Sequence, residues 1–149
     1  MFETIVLTKG RPVLAIQRDT VDARRLDARI VDENAARVIR RRLTRAKPFL
    51  DTVIPAVGRI EVQNNPYYEW VGTGWLVEPG IIVTNRHVAR AFATRDGARF
   101  SFMTGLDPGR PQTARIDFRE EIGRADAIEL GITEIVWIAP DNGPDVAFL

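Results

Sequence analysis

His87 is the only histidine in this chain of 149 residues, and it stands at the end of an apolar run, Ile81-Ile82-Val83-Thr84-Asn85-Arg86-His87-Val88. Imidazole is the side chain whose ordinary pKa lets it take up and return a proton near neutral pH. A strand that ends in such a ring holds a general base on a rigid support. Metal chemistry fits the composition poorly. With a single histidine and no cysteine, a zinc site would have to be completed by carboxylates gathered around that ring. Asp141-Asn142-Gly143-Pro144-Asp145 is too short and sparse for a calcium loop. Gly72-Thr73-Gly74 continues as a strand and opens no helix, so it does not read as a phosphate cradle. No metal and no cofactor is expected.

The elements that must position His87 lie just before it. Val71-Gly72-Thr73-Gly74-Trp75-Leu76-Val77 is an apolar strand, Glu78-Pro79-Gly80 a turn, and Ile81 to Thr84 a second strand. Proline presets φ and glycine accepts the left-handed position, so the pair predicts a hairpin. Glycine weakens a strand interior, which makes Gly72 and Gly74 markers of a bulge or of a close backbone approach.

These residues resemble the histidine motif of trypsin-like serine proteases. Gly72-Thr73-Gly74-Trp75-Leu76-Val77, followed by Ile82-Val83-Thr84-Asn85-Arg86-His87-Val88, is similar to the bacterial, disulfide-free Deg/HtrA-like branch, with its Gly-Ser-Gly, apolar strand and Thr-Asn-x-His-Val. Pro144-Asp145-Val146-Ala147-Phe148-Leu149 resembles the aspartate motif of the same family. The resemblance covers about residues 55–149. It implies the first, N-terminal antiparallel β-barrel of a chymotrypsin-like two-barrel protease, with His87 as general base and acid and Asp145 orienting it. Asp141 is the rival carboxylate, without a following strand. The Gly-[Asn/Asp]-Ser-Gly motif of the nucleophile does not occur, so the resemblance implies that the serine lies beyond Leu149, on a second barrel. A parent serine endopeptidase acting on protein or peptide substrates is expected, with this portion inactive alone. Its missing partner is the C-terminal barrel.

Ser101 is the only serine present, within Arg99-Phe100-Ser101-Phe102-Met103. That run alternates as a plain strand without flanking glycines. A regular strand spends its N–H groups on the ladder and has none to aim at an oxyanion. Ser101 therefore reads as structural, and Thr73 and Thr84 as packing residues with local hydrogen bonds.

The rest of the chain divides in three. Residues 1–19 hold two short apolar runs around Lys9-Gly10-Arg11-Pro12 and predict an arm or hairpin. Residues 20–54 form a helical segment. Ala35, Ile39, Leu43, Ala46, Leu50 and Val53 recur at steps of three and four, one face of a helix. Asp32 suits its N-cap, Pro48 should kink or divide it, and Leu26 with Ile30 suggests a shorter helix capped by Thr20. Its polar face, Arg37, Arg40, Arg41, Arg42, Arg45 and Lys47, reads as solvated; without a recognition motif, nucleic acid is not the expected partner. Residues 55–149 read as short strands: Val57–Val62, the central hairpin, Phe100–Met103, Ala114–Phe118, Ile132–Ile138 and Val146–Leu149. A small antiparallel barrel preceded by an amphipathic helix is the predicted fold.

Composition sets the outer limits. A net charge of +1 gives no overall drive toward nucleic acid or an anionic membrane. No apolar run is long enough to span a bilayer, and Met1-Phe2-Glu3-Thr4 lacks the features of a signal peptide. With no cysteine, a reducing, cytoplasmic setting is expected. The alternative function is a non-catalytic β-barrel module whose helical arm and aromatic Tyr67, Tyr68 and Trp70 bind a protein partner.

Overall fold

The computed structural model describes residues 15–22, 33–121 and 124–149. The first apolar run, the Asp32 cap and the Leu26–Ile30 helix lie outside the described residues. The chain forms two compact units, one from residues 1–55 with 121–126, the other from 56–120 with 127–149. It is mainly β, with a curled antiparallel half-barrel sheet. Among the described residues, no helix is long and apolar enough to cross a membrane.

In the first unit, strands β1 (Ala15–Gln17) and β2 (Thr20–Asp22) pair as a hairpin. It spans the boundary predicted at residue 19, and Thr20 is a strand residue, not a helix cap. Arg18 and Asp19 form the turn with φ of 55° and 59°, the left-handed pair that matches strand twist in a two-residue hairpin. Neither is glycine, and the Glu121 carboxylate accepts both of their N–H groups, at 2.6 and 2.9 Å. Helix α1 runs from Glu33 to Val53 and passes through Pro48 undivided. Proline removes one helical hydrogen bond, but Thr44, four residues earlier, is exposed, so water can satisfy the released carbonyl. Thr20 Oγ1 donates to Asp51 at 2.6 Å, and Lys47 pairs with the same carboxylate at 2.8 Å. All six basic side chains of the polar face are exposed.

The second unit is built on a seven-stranded antiparallel sheet in the order β10-β11-β5-β4-β3-β8-β9. Its strands are β3 (Val57–Gln63), β4 (Trp70–Glu78), β5 (Ile81–Thr84), β8 (Thr113–Asp117), β9 (Glu129–Ile132), β10 (Trp137–Ile138) and β11 (Ala147–Phe148). Strands β6 (Ala93–Asp96) and β7 (Arg99–Phe102) form a separate hairpin. The predicted strand over Ile132–Ile138 is in fact the end of β9, a non-strand link and the short β10. Ile132, Ile135 and Ile138 are all buried, so the apolar residues follow the core at steps of three and do not alternate.

Register explains the curl. Gly58, Gly74, Thr84, Ala147 and Ile138 are cross-strand neighbours in succession from β3 to β10, and all five are buried. The next row, Val57, Trp75, Val83, Phe148 and Trp137, lies on the opposite face. Small residues on one face and large ones on the other bend the sheet toward the small side. That side has no room to spare: a Cβ on Gly74 would lie 2.9 Å from Ile82 Cγ2 and 3.0 Å from Ile60 Cδ1. Ile60, Ile116, Val88 and Phe92 fill the hollow at 0–1% exposure, and each buried side chain of this kind contributes about 1.5–3 kcal/mol.

The convex face divides in two. Arg59, Glu61, Arg115, Asp117 and Glu129 make a charged ladder across β3, β8 and β9. Arg115 pairs with Glu61 at 2.6 Å and with Glu129 at 2.9 Å, and Arg59 pairs with Glu61 and, at 2.7 Å, with Glu120. The other half carries the apolar row, where Trp75 and Trp137 remain partly exposed and the Trp137 and Phe148 rings sit 5.9 Å apart.

Candidate active site

The hairpin forms as its residues predict. Strands β4 and β5 pair around Pro79-Gly80, where Gly80 takes φ +82°. The register shifts between Leu76 and Glu78, so Val77 bulges outward. β5 ends at Thr84, and the chain then turns into a single helical turn, α2 (Arg86–Ala89). His87 thus sits on that turn, just past the strand end where the sequence pattern puts it. The turn is seated by glycine: a Cβ on Gly72 would lie 2.5 Å from Val88 Cγ2. Thr84 Oγ1, fully buried, donates to the Thr73 carbonyl at 2.7 Å and ties the two strands where α2 begins.

Strand β11 brings Asp145 to the same place. Ala147 pairs with Thr84, and Leu149 exchanges both backbone hydrogen bonds with Ile82 at 2.9 Å. Residues 58 positions apart in sequence then meet: His87 Nδ1 lies 2.7 Å from Asp145 Oδ2, and the His87 backbone N–H donates to Asp145 Oδ1 at 3.1 Å. A carboxylate only accepts, so Nδ1 carries the proton and the neutral ring keeps its basic lone pair on Nε2. Burial pushes the Asp145 carboxyl up, but the ring and backbone hydrogen bonds from His87 outweigh it, together with the charges of His87 and Arg86. Its pKa falls below the ordinary carboxylate value. Both side chains are about two-fifths exposed.

Two neighbours escape a search for proton-transfer groups. Asn85 stands at the start of α2, but its side chain does not cap the helix; Nδ2 donates to the Asp145 carbonyl at 3.2 Å and to its carboxylate at 3.4 Å. Arg86 donates to the carbonyls of Pro140, Gly143 and Pro144 at 2.5, 3.1 and 3.3 Å. It holds the loop that delivers Asp145. Asn85 is marked in the sequence only as the asparagine of the Thr-Asn-x-His pattern, and Arg86 only by adjacency to His87. The rival carboxylate, Asp141, pairs with Arg90, and its pKa is lowered by that guanidinium.

Ser101 lies in β7 opposite Thr94, a regular ladder position. Tyr67 and Trp70 are exposed at 81% and 56%, while Tyr68 packs on the core. Among the described residues, Glu61, Asp117 and Glu120 bring carboxylate oxygens within 4.8 Å of one another. Arg59 and Arg115 already supply the positive charge there, and Asp117 Oδ1 accepts the N–H groups of Arg119 and Ile128 at 2.8 and 3.2 Å. That cluster is a salt-bridge network, not a vacant cage.

No protein-family model, curated protein or solved structure matches the chain.

Proposed function

We propose that residues 55–149 hold the histidine- and aspartate-bearing barrel of a trypsin-like serine endopeptidase, with the nucleophilic serine on sequence beyond Leu149. The observation that carries this reading is the two-point hold of Asp145 on His87, through ring and backbone at once. It fixes both the tautomer and the tilt of the imidazole, which is what a general base needs to work on one oxygen in one position.

In the chemistry proposed, His87 Nε2 takes the proton from a serine hydroxyl as its oxygen bonds to the peptide carbonyl carbon. The imidazolium, stabilised by the Asp145 carboxylate, then gives that proton to the leaving amine as the C–N bond breaks. Water repeats the sequence and releases the acyl group. The portion in hand supplies the base and its orienter and lacks the group to be acylated.

The test is to express the protein from its native reading frame through the segment that follows Leu149. Casein hydrolysis and fluorophosphonate labelling of one serine outside residues 1–149 are expected, both lost in His87→Ala. Labelling that is absent, or indifferent to His87→Ala, overturns the proposal. The exposure of Tyr67 and Trp70 and the apolar half of the convex face favour a second reading, a non-catalytic module that binds a protein. Partner binding unchanged in His87→Ala, without labelling, would support it.

A further inference from the structure

We propose that the outward face of α1 seats the chain on the surface of an anionic lipid bilayer. Helix α1 carries six basic and two acidic side chains, while the net charge of the whole chain is +1. The rest of the molecule is therefore net acidic, and the attraction to an anionic surface is local to this helix. Five of the basic residues, Arg37, Arg40, Arg41, Arg42 and Arg45, fall within nine positions, and all are exposed. None of them pairs with a carboxylate among the described residues; Arg37 reaches the Asn34 side chain, at 2.9 Å. Elsewhere Arg59, Arg90, Arg115 and Arg124 are each matched by an acid. The acids of α1 stand aside from the cluster: Glu33 opens the helix, and Asp51 is held by Lys47 and Thr20.

The same face carries apolar side chains that the fold does not cover. Phe49 is 69% exposed and Val38 50%. At about 100° per residue, Val38, Arg42, Arg45 and Phe49 line up as one stripe about 16 Å long, with Arg37, Arg40 and Arg41 along its border. Ile39, Leu43, Ala46 and Leu50 lie on the other side and are half-buried, and α1 packs against β2. The helix can therefore meet a bilayer without leaving its unit. Arginines and a phenylalanine along one line suit the headgroup layer, where guanidinium groups meet lipid phosphates and the aromatic ring enters the acyl boundary. A nucleic-acid duplex or an acidic polypeptide would satisfy the arginines but offer Phe49 and Val38 no apolar layer to enter.

The proposal rests on α1 and needs no turnover, so it stands or falls apart from the chemistry assigned to His87. The full 149-residue chain is sedimented with vesicles of phosphatidylcholine alone and with vesicles holding about one-third phosphatidylglycerol. Binding to the mixed vesicles only is expected. It should weaken about fivefold for each arginine removed, and so about 25-fold in Arg41→Gln with Arg45→Gln. Arg41→Lys with Arg45→Lys should keep it, and Phe49→Ser should weaken it about tenfold. Arg95→Gln with Arg99→Gln removes the same charge from exposed positions in the second unit and should leave binding unchanged. Each variant alters an exposed side chain, and an unaltered melting temperature confirms its fold. Equal binding to neutral vesicles, indifference to Phe49→Ser, an equal loss in the variant of Arg95 and Arg99, or tighter capture by duplex DNA or polyglutamate than by the mixed vesicles would overturn the assignment.

Discussion

Asp145 grips His87 at two atoms: Oδ2 meets the ring Nδ1 at 2.7 Å, and Oδ1 accepts the backbone N–H of the same residue at 3.1 Å. The carboxylate therefore fixes both the ring and the backbone of the turn that carries it. Asp145→Asn keeps the shape but offers an amide that can donate to Nδ1 and favour the wrong tautomer. In the protein read through its native frame, kcat should fall about four powers of ten, as for the equivalent change in trypsin-type enzymes. A loss of less than about tenfold would remove Asp145 from the orienting role.

Gly72 controls His87 from the neighbouring strand. A methyl group there would meet Val88 Cγ2 at 2.5 Å and Cγ1 at 3.1 Å, and Val88 follows His87 in α2. Gly72→Ala should cost about 1–3 kcal/mol, the usual range for overpacking a filled core, and should displace the turn. Urea denaturation measures the cost. Adding Val88→Ala should recover much of it; no recovery would mean that the strain lies elsewhere.

Acid should loosen the second unit through Glu61 before it touches the hollow of the sheet. Burial raises the Glu61 carboxyl, but hydrogen bonds from Arg59 and Arg115 outweigh it and hold the pKa below the ordinary 4.5. A depressed folded-state pKa gives stability that is full above the unfolded value and is lost as pH falls through the folded one. The urea midpoint should therefore hold above about pH 5 and decline below about pH 4.5. Glu61→Gln should lower the midpoint at neutral pH and flatten the decline. An equally steep decline in the variant would assign the acid sensitivity to other carboxylates.

Much of the site was legible because chemistry and local geometry coincide there. Pro79-Gly80 makes its turn, Gly72 marks a close approach, and Thr84 bonds locally. Asp145 reached His87 in the reading only through a resemblance of motif; no local rule joins residues 58 apart, and only the pairing of β11 with β5 brings them together. Arg86 was illegible for a related reason. Its partners are three backbone carbonyls, which leave no mark in a sequence. The Ile132–Ile138 run misled because its isoleucines are buried one after another without a regular strand, and apolar spacing reports burial before it reports hydrogen bonding. Pro48 does not divide the helix, one of the two outcomes its residue type suggests, since an exposed helix can hand its orphaned carbonyl to water.

The convex face of the sheet, half ionic and half apolar, gives the second unit a divided response to salt. Screening weakens exposed pairs such as Arg115–Glu129, while sulfate strengthens the tendency of apolar surface to find cover. Added ammonium sulfate should therefore relax one half of the face as it makes the other adhesive. In sedimentation, the average mass of the chain should climb with sulfate, and Trp75→Ser with Trp137→Ser should hold it to the monomer. Ionic strength then decides whether this surface meets water or another molecule.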